Sequence, residues 1–376
     1  VVYDVSISME GYLRLEIYFK FDTAAQYLFL SNEKSRVLVN IGGQMETLTP
    51  ADLKTGTEYV YTIDLYAMAY NKLVNVQFTN GEYTWMGIAD VSIENILVGI
   101  MAELNISVDS AKSVLSNVNA TEQEISNAKQ VLTQSYALKN AIISMLNYCN
   151  LAAVQFGTQD SYKEIEEPFT FIMQNTETDE TTGESTVVEE ELTFNMAQAM
   201  EFVSVEMLEK YKLQIAEGAR LPEGVTFLGA SLILDSGLDI RFYFRLAEGR
   251  ELQSLTFLVD GEKVIPSAYK NTADTYYLVI DEISAFDIMY MFNVVIQDTD
   301  MQAENSQSYS FTYGTLSYMY TALLNENSSE SLKKLAKATY IYAEMMQIAV
   351  ETLTSDVSDE TNNEDVSSDE IVEEGL

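Results

Sequence analysis

Between Leu13 and Phe21 the chain alternates apolar and polar positions: Leu13, Leu15, Ile17, Phe19 and Phe21 are separated by Arg14, Glu16, Tyr18 and Lys20. A period of two puts one set on a buried face and the other toward solvent, as in a half-buried antiparallel strand. The pattern returns 225 residues later, with Leu238, Ile240, Phe242, Phe244 and Leu246 interleaved by Asp239, Arg241, Tyr243 and Arg245. Neighbouring segments return as well. Val5-Ser6-Ile7-Ser8-Met9 pairs with Ala230-Ser231-Leu232-Ile233-Leu234, and Val37 to Gly43 with Leu255 to Gly261. Tyr59 to Asp64 pairs with Tyr276 to Asp281, Val74-Asn75-Val76 with Phe292-Asn293-Val294, and Tyr83-Thr84-Trp85 with Tyr309-Ser310-Phe311. Gly42-Gly43, Asn80-Gly81 and Asp260-Gly261 are hairpin dipeptides. Six or seven short strands at this spacing predict an antiparallel β-sandwich of immunoglobulin or fibronectin type, written twice.

Each β series runs into a helical period. In the first, Ser92 to Val118 and Glu122 to Phe156 read as helices, the latter opened by the capping-box form Thr121-Glu122-Gln123-Glu124. Its run Ala141 to Leu146 is apolar all round and predicts burial between the sandwich and its helical partner. In the second, Thr315 to Leu324 and Ser329 to Leu353 are broken at Asn325-Glu326-Asn327. Ser328 or Ser329 is the N-cap, and Leu332, Leu335, Ala336, Ile341, Met345 and Ala349 face inward. The fold class is α+β, two tandem copies of a sandwich each followed by a helical hairpin. Residues 1–157 form one module (sandwich 1–88, helices 92–156), and 225–352 the second (sandwich 225–312, helices 315–352).

Two stretches fall outside the repeat. Residues 159–191 carry 11 acidic residues and one lysine and read as a surface β-hairpin, with Phe169 to Ile172 on one strand and Val187-Val188 leading into Leu192-Thr193-Phe194 on the other. Together with a linker that includes a helix-forming Met207 to Ala216, they fill 158–224. The segment from Thr352 to Leu376 has nine acidic residues and no basic one; residues 353–376 are expected to be a disordered acidic tail.

Composition narrows the function. The 376 residues carry 58 Asp and Glu against 21 Lys and Arg, a net charge of −37, which repels phosphate backbones and anionic headgroups. No nucleic-acid binding is expected. No window of about 18 apolar residues occurs, so no membrane insertion is expected. There is no histidine, which removes Ser-His-Asp and Cys-His catalysis and His-ligated zinc. The lone Cys149 lies in an apolar helical run and reads as a buried, inert thiol. The chain opens Val1-Val2-Tyr3-Asp4 without initiator Met or signal peptide, as expected of a mature or excised segment of something longer. A pI near 4.1, 24 tyrosines and a surface rich in Thr, Ser, Asn and Asp favour an extracellular, cell-surface setting.

The run Val203 to Leu234 resembles the linker and first strand of a tandem module near the C-termini of large surface proteins of anaerobic gut bacteria. Those proteins often also carry leucine-rich repeats, dockerins or enzymatic domains. A module of that family closes on a helix of the type L-V-K-A-M-L-N-Y-G-A and then Y-F-G; here Met145-Leu146-Asn147-Tyr148 and Phe156-Gly157 stand at those places. The next opens with Y-G-A-S-L-x-L, here Leu228 to Leu234, and closes with Y-S-A-L-S-Y-x-Y and S-L-K-N-L-A-K-A, here Tyr313 to Tyr320 and Ser331 to Ala338. The resemblance covers about residues 1–157 and 203–350. It departs around Glu94 to Val131 and in the acidic excursion. It implies a fold and a bacterial surface setting, and it supplies no catalytic residues and no ligand.

Candidate chemistry is sparse. Glu166-Glu167 and Glu189-Glu190-Glu191 could supply the paired acids of a glycosidase, but solvated charge explains them more simply. Asp298, Asp300 and Glu304 are the nearest approach to a calcium loop, without the glycine of a sharp turn. Asn105-Ile-Ser, Asn119-Ala-Thr and Asn327-Ser-Ser match the glycosylation triplet. Tyr18 and Tyr243 share one outward position in the two copies, where a tyrosine can stack on a sugar or a protein partner, but cross-strand packing against Arg14, Arg241 or neighbouring helices explains them more simply. The leading reading is a non-catalytic structural or adhesive module, a spacer or assembly element with a protein partner or self-association, for instance through an edge strand at Tyr83 to Trp85. A carbohydrate-binding module is the alternative, and a carboxylate-based glycoside hydrolase a remote third.

Overall fold

A computed structural model describes residues 2–8, 13–21, 23–65, 67–178, 185–233, 238–269, 272, 274–303 and 305–360. The first half runs β1 (Val2–Ser8), β2 (Leu13–Lys20), α1 (Ala24–Ser31), β3 (Arg36–Ile41), β4 (Gln44–Leu48), β5 (Lys54–Thr55), β6 (Glu58–Leu65), β7 (Val74–Thr79) and β8 (Thr84–Val91). The helices α2 (Ile93–Leu115) and α3 (Glu122–Gln155) follow. Next come β9 (Phe169–Thr178), β10 (Ser185–Phe194), α4 (Met196–Phe202), α5 (Val205–Leu208) and β11 (Gln214–Ile215). The second half runs β12 (Val225–Ile233), β13 (Asp239–Leu246), β14 (Leu255–Val259), β15 (Glu262–Lys263), β16 (Ser267–Ala268), β17 (Thr275–Ile280), β18 (Phe292–Asp298), β19 (Ser308–Tyr313), α6 (Thr315–Leu324) and α7 (Glu330–Glu360). The protein is α+β, and every strand pairing among the described residues is antiparallel.

Each half contains two sheets. In the first their orders are β1-β2-β6-β5 and β4-β3-β7-β8; in the second they are β12-β13-β17-β16 and β11-β19-β18-β14-β15. Alternation in β2 and β13 turns Leu15, Ile17 and Phe19, and Ile240, Phe242 and Phe244, into the core. Phe19 meets Phe78 of the facing sheet edge-on at 5.6 Å, and Phe244 stacks on Phe257 at 4.8 Å. Leu15 lies opposite Ile63, and Ile240 opposite Ile280, so these two strand pairs share the register that their aligned sequences predict. The glycine turns hold too: Gly42 and Gly43, like Asp260 and Gly261, sit at positive φ, as a two-residue hairpin turn demands.

Two alignments shift. Ile41 is opposite Val74 and Val259 opposite Val294, so Val74 matches Val294 and not Phe292. Val74 is in turn opposite Val91 and Val294 opposite Phe311, so Phe311 matches Val91 and not Trp85, and β8 carries register shifts that β19 lacks. The first slip, of two residues, leaves every side chain on its own face, and the alternation alone does not detect it.

The two halves also end their sheets differently. The Met207 to Ala216 segment is not a continuous helix. After one turn of α5 and a 3-10 turn it extends as β11 along β19, with Ala216 N–H and Arg220 N–H donating to Ser310 O and Ser308 O at 2.9 Å each. Leu208 and Tyr211 are buried and hold this segment in place. The corresponding strand β8 has no strand outside it among the described residues. Two register shifts against β7 and a positive φ at Asp90 disrupt it instead, a device that discourages edge pairing.

The helices start where their caps sit. Ser92 caps α2, Thr121 and Glu124 form the expected capping box on α3, and Ser329 Oγ accepts Leu332 N–H at the start of α7. From Ser135 to Ala153 nearly every residue of α3 is buried, because α2, α7 and β9 pack around it. Its partner is thus wider than expected: α7, from the other half, lies against α3, with Tyr148 stacked on Tyr342 at 5.3 Å. Leu335, Ala336, Ile341 and Ala349 are buried on α7, and Leu332 and Met345 half-buried. The expected disordered tail is corrected at its start, since α7 continues to Glu360; residues 361–376 lie outside the described set. One apolar core runs through both halves and the helices between them.

Candidate functional site

Tyr18 and Tyr243 both point away from their sheet cores and are half-buried, but their surroundings differ. Tyr243 is packed by tyrosines, with Tyr269 at 5.4 Å and Tyr277 at 6.0 Å, and its hydroxyl is 3.1 Å from Ser231 Oγ. The Arg241 guanidinium lies over the Tyr277 ring at 5.2 Å. Tyr18 instead donates its hydroxyl to Glu16 Oε2 at 2.7 Å. That hydrogen bond, to an acceptor stronger than water, raises its pKa.

Beyond its hydroxyl, Tyr18 lines a pocket of about 760 Å³ where β2 ends, bounded by α1 and the β5–β6 turn. Tyr27 and Tyr59 line it too, with Lys20, Lys54 and Glu58 among the polar members. The helix α1 was not expected. Its eight residues, AAQYLFLS, are too apolar and too short to show a period, but Thr23 and Gln26 form a capping box that fixes its start. Phe29 on its inner face stacks on Phe21 and meets Phe78 edge-on, leaving Tyr27 61% exposed at the pocket.

The acidic excursion is a two-stranded hairpin, as expected, with Phe169 opposite Phe194 and Ser185 opposite Thr178. Its carboxylates are not simply solvated charge. Glu191 bonds Lys112 at 2.8 Å and Tyr136 at 2.8 Å, Glu189 bonds Lys129 at 2.9 Å, and Glu167 bonds the buried Lys139 at 3.2 Å. Partial burial pushes the Glu191 carboxyl up, but its Lys112 and Tyr136 hydrogen bonds together hold it below its ordinary value. These acids pin the hairpin to α2 and α3. Three asparagines on α3 complete the attachment. Asn140 donates to Thr170 O at 2.8 Å and accepts Thr170 N–H at 2.9 Å, Asn147 accepts Tyr162 O–H and Ile165 N–H, and Asn150 accepts Lys163 N–H and donates to its carbonyl. Spacings of seven and three on one helix, inside an apolar run, were the signal available for them.

Of the calcium candidates, Asp298 forms an ion pair with Arg250 and accepts Gln307 N–H at 2.8 Å. Asp300 accepts Gln302 N–H at 3.0 Å, and Glu304 lies outside the described residues. Among the described residues no three His, Cys, Asp or Glu gather as a metal site, and no helix is long and apolar enough to cross a membrane. Cys149 is buried between α3 and its neighbours, and burial pushes its thiol far above the ordinary value. Asn105 of the first glycosylation triplet accepts Lys139 Nζ at 2.7 Å.

No family model matches the chain, and no curated protein or solved structure matches it.

Proposed function

We infer that the protein is a non-catalytic structural or adhesive module of an extracellular cell surface, a rigid spacer that assembles with protein partners. In this reading the halves are two copies of one ancestral unit, each a β-sandwich with helices laid on it. The recurrence of strand order and of the β2/β13 register supports that duplication. The observation that carries rigidity is the α3–α7 contact. Helices from both halves form one layer, with the Tyr148–Tyr342 stack inside it and Gln155 accepting from Ser331 at 2.6 Å at its end. A linker between independent domains leaves relative motion as the default, whereas a shared apolar layer removes it. The strong negative charge keeps such a module soluble and apart from anionic polymers. The resemblance to gut-bacterial surface modules favours the setting.

Spin labels test this reading. Thr62→Cys and Arg245→Cys, both exposed on strands, place one label on each half, and the buried Cys149 stays unlabelled. A single narrow distance distribution by pulsed electron resonance is expected. A broad one would mean that the halves move independently, and the spacer reading would fall.

A further inference from the structure

We propose that the pocket between β2, α1 and the β5–β6 turn binds a neutral saccharide. Its volume of about 760 Å³ is that of a small-ligand site. Tyr18, Tyr27 and Tyr59 bring three amphipathic rings to one opening, and Tyr27 keeps 61% of its surface in water. Tyr18 and Tyr59 are half-buried; an exposed tyrosine face such as that of Tyr27 stacks on the C–H face of a pyranose ring while the rim meets hydroxyls.

The polar rim decides the class. Lys20 and Lys54 supply donors, and Asp4 and Glu58 supply acceptors. Within the described residues none of the four enters an ion pair. Two cations and two anions cancel, so the rim selects hydroxyls, which need both kinds of partner, over any net charge. The field of a chain at −37 works further against uronate or sulfated polymers.

The second half provides an internal comparison. Tyr243 stands at the place of Tyr18, but Tyr269 and Tyr277 occupy its ring. Between β13 and β14 there is a 3-10 turn at Leu252–Ser254 and no counterpart of α1. The site therefore belongs to the first half alone, and it does not depend on how the two halves move.

Affinity electrophoresis of the whole chain through gels containing hydroxyethyl cellulose, xylan or galactomannan tests this, with polygalacturonate as the charged control. At least one neutral polymer should retard the protein. Tyr27→Ala, which removes an exposed ring and should melt with the parent, should weaken that retardation about tenfold or more. Lys54→Ala should weaken it, and Tyr243→Ala should leave it unchanged. Retardation by none of the three neutral polymers, retardation by polygalacturonate alone, or an undiminished Tyr27→Ala would overturn the proposal.

Discussion

Asn140 shows what a single polar residue can do inside an apolar helix. Its amide pairs with both backbone groups of Thr170, so the outer edge of β9, which no further strand covers among the described residues, is satisfied there by a side chain acting as a strand would. Truncation leaves a buried donor and acceptor unpaired at once, and each such group costs about 1–3 kcal/mol. Asn140→Ala should therefore lose about 3 kcal/mol in urea denaturation, while Asn127→Ala, on the exposed first turns of the same helix, should stay within about 0.5 kcal/mol. None of this was legible from residue types, because an asparagine in a helix reads equally as surface. Cys149 is the contrary case: its apolar neighbours in sequence already implied the inert thiol that burial produces.

At the scale of elements, the β9–β10 hairpin is held by charge as well as by packing. Its strands were readable from alternation, but its partners were not, since Lys112 and Lys129 lie 79 and 60 residues away from Glu191 and Glu189. Because Glu191 has a folded-state pKa below its ordinary value, its contribution is full above that ordinary value and is lost as pH falls through the folded one. Glu191→Gln should cost about 1 kcal/mol near neutrality, a modest figure for a pair this exposed. The gap in urea midpoint between parent and variant should close as pH falls from about 7 to about 3. A gap that stays constant would assign the contribution to packing. The strands β2 and β13 were the most legible elements because one face of each is fully buried. The helix expected over Met207 to Ala216 failed for a tertiary reason: the outer edge of β19 offers backbone partners that outweigh a local helical preference.

The whole molecule was legible as α+β, with α2, α3, α6 and α7 starting within one residue of where the sequence placed them, yet the sequence pattern described two bodies in series. Missing from it was the lateral contact of α3 with α7, since a buried helix looks the same whichever neighbour buries it. That contact makes a further expectation. Tyr342→Ala opens a cavity in the shared layer and should cost about 3–5 kcal/mol. Calorimetry should then resolve two transitions where the parent shows one. A single shifted transition would place the coupling elsewhere, in the linker.

The strand β11 bears on where this chain can be cut. The sequence pattern restarts at Val225, which invites a fragment beginning there. Such a fragment would come without the strip that shields β19, its Ser308 and Ser310 carbonyls bared, and would be apt to stick to its own kind. A soluble second half has to start upstream of Leu208, so that it brings its own hem.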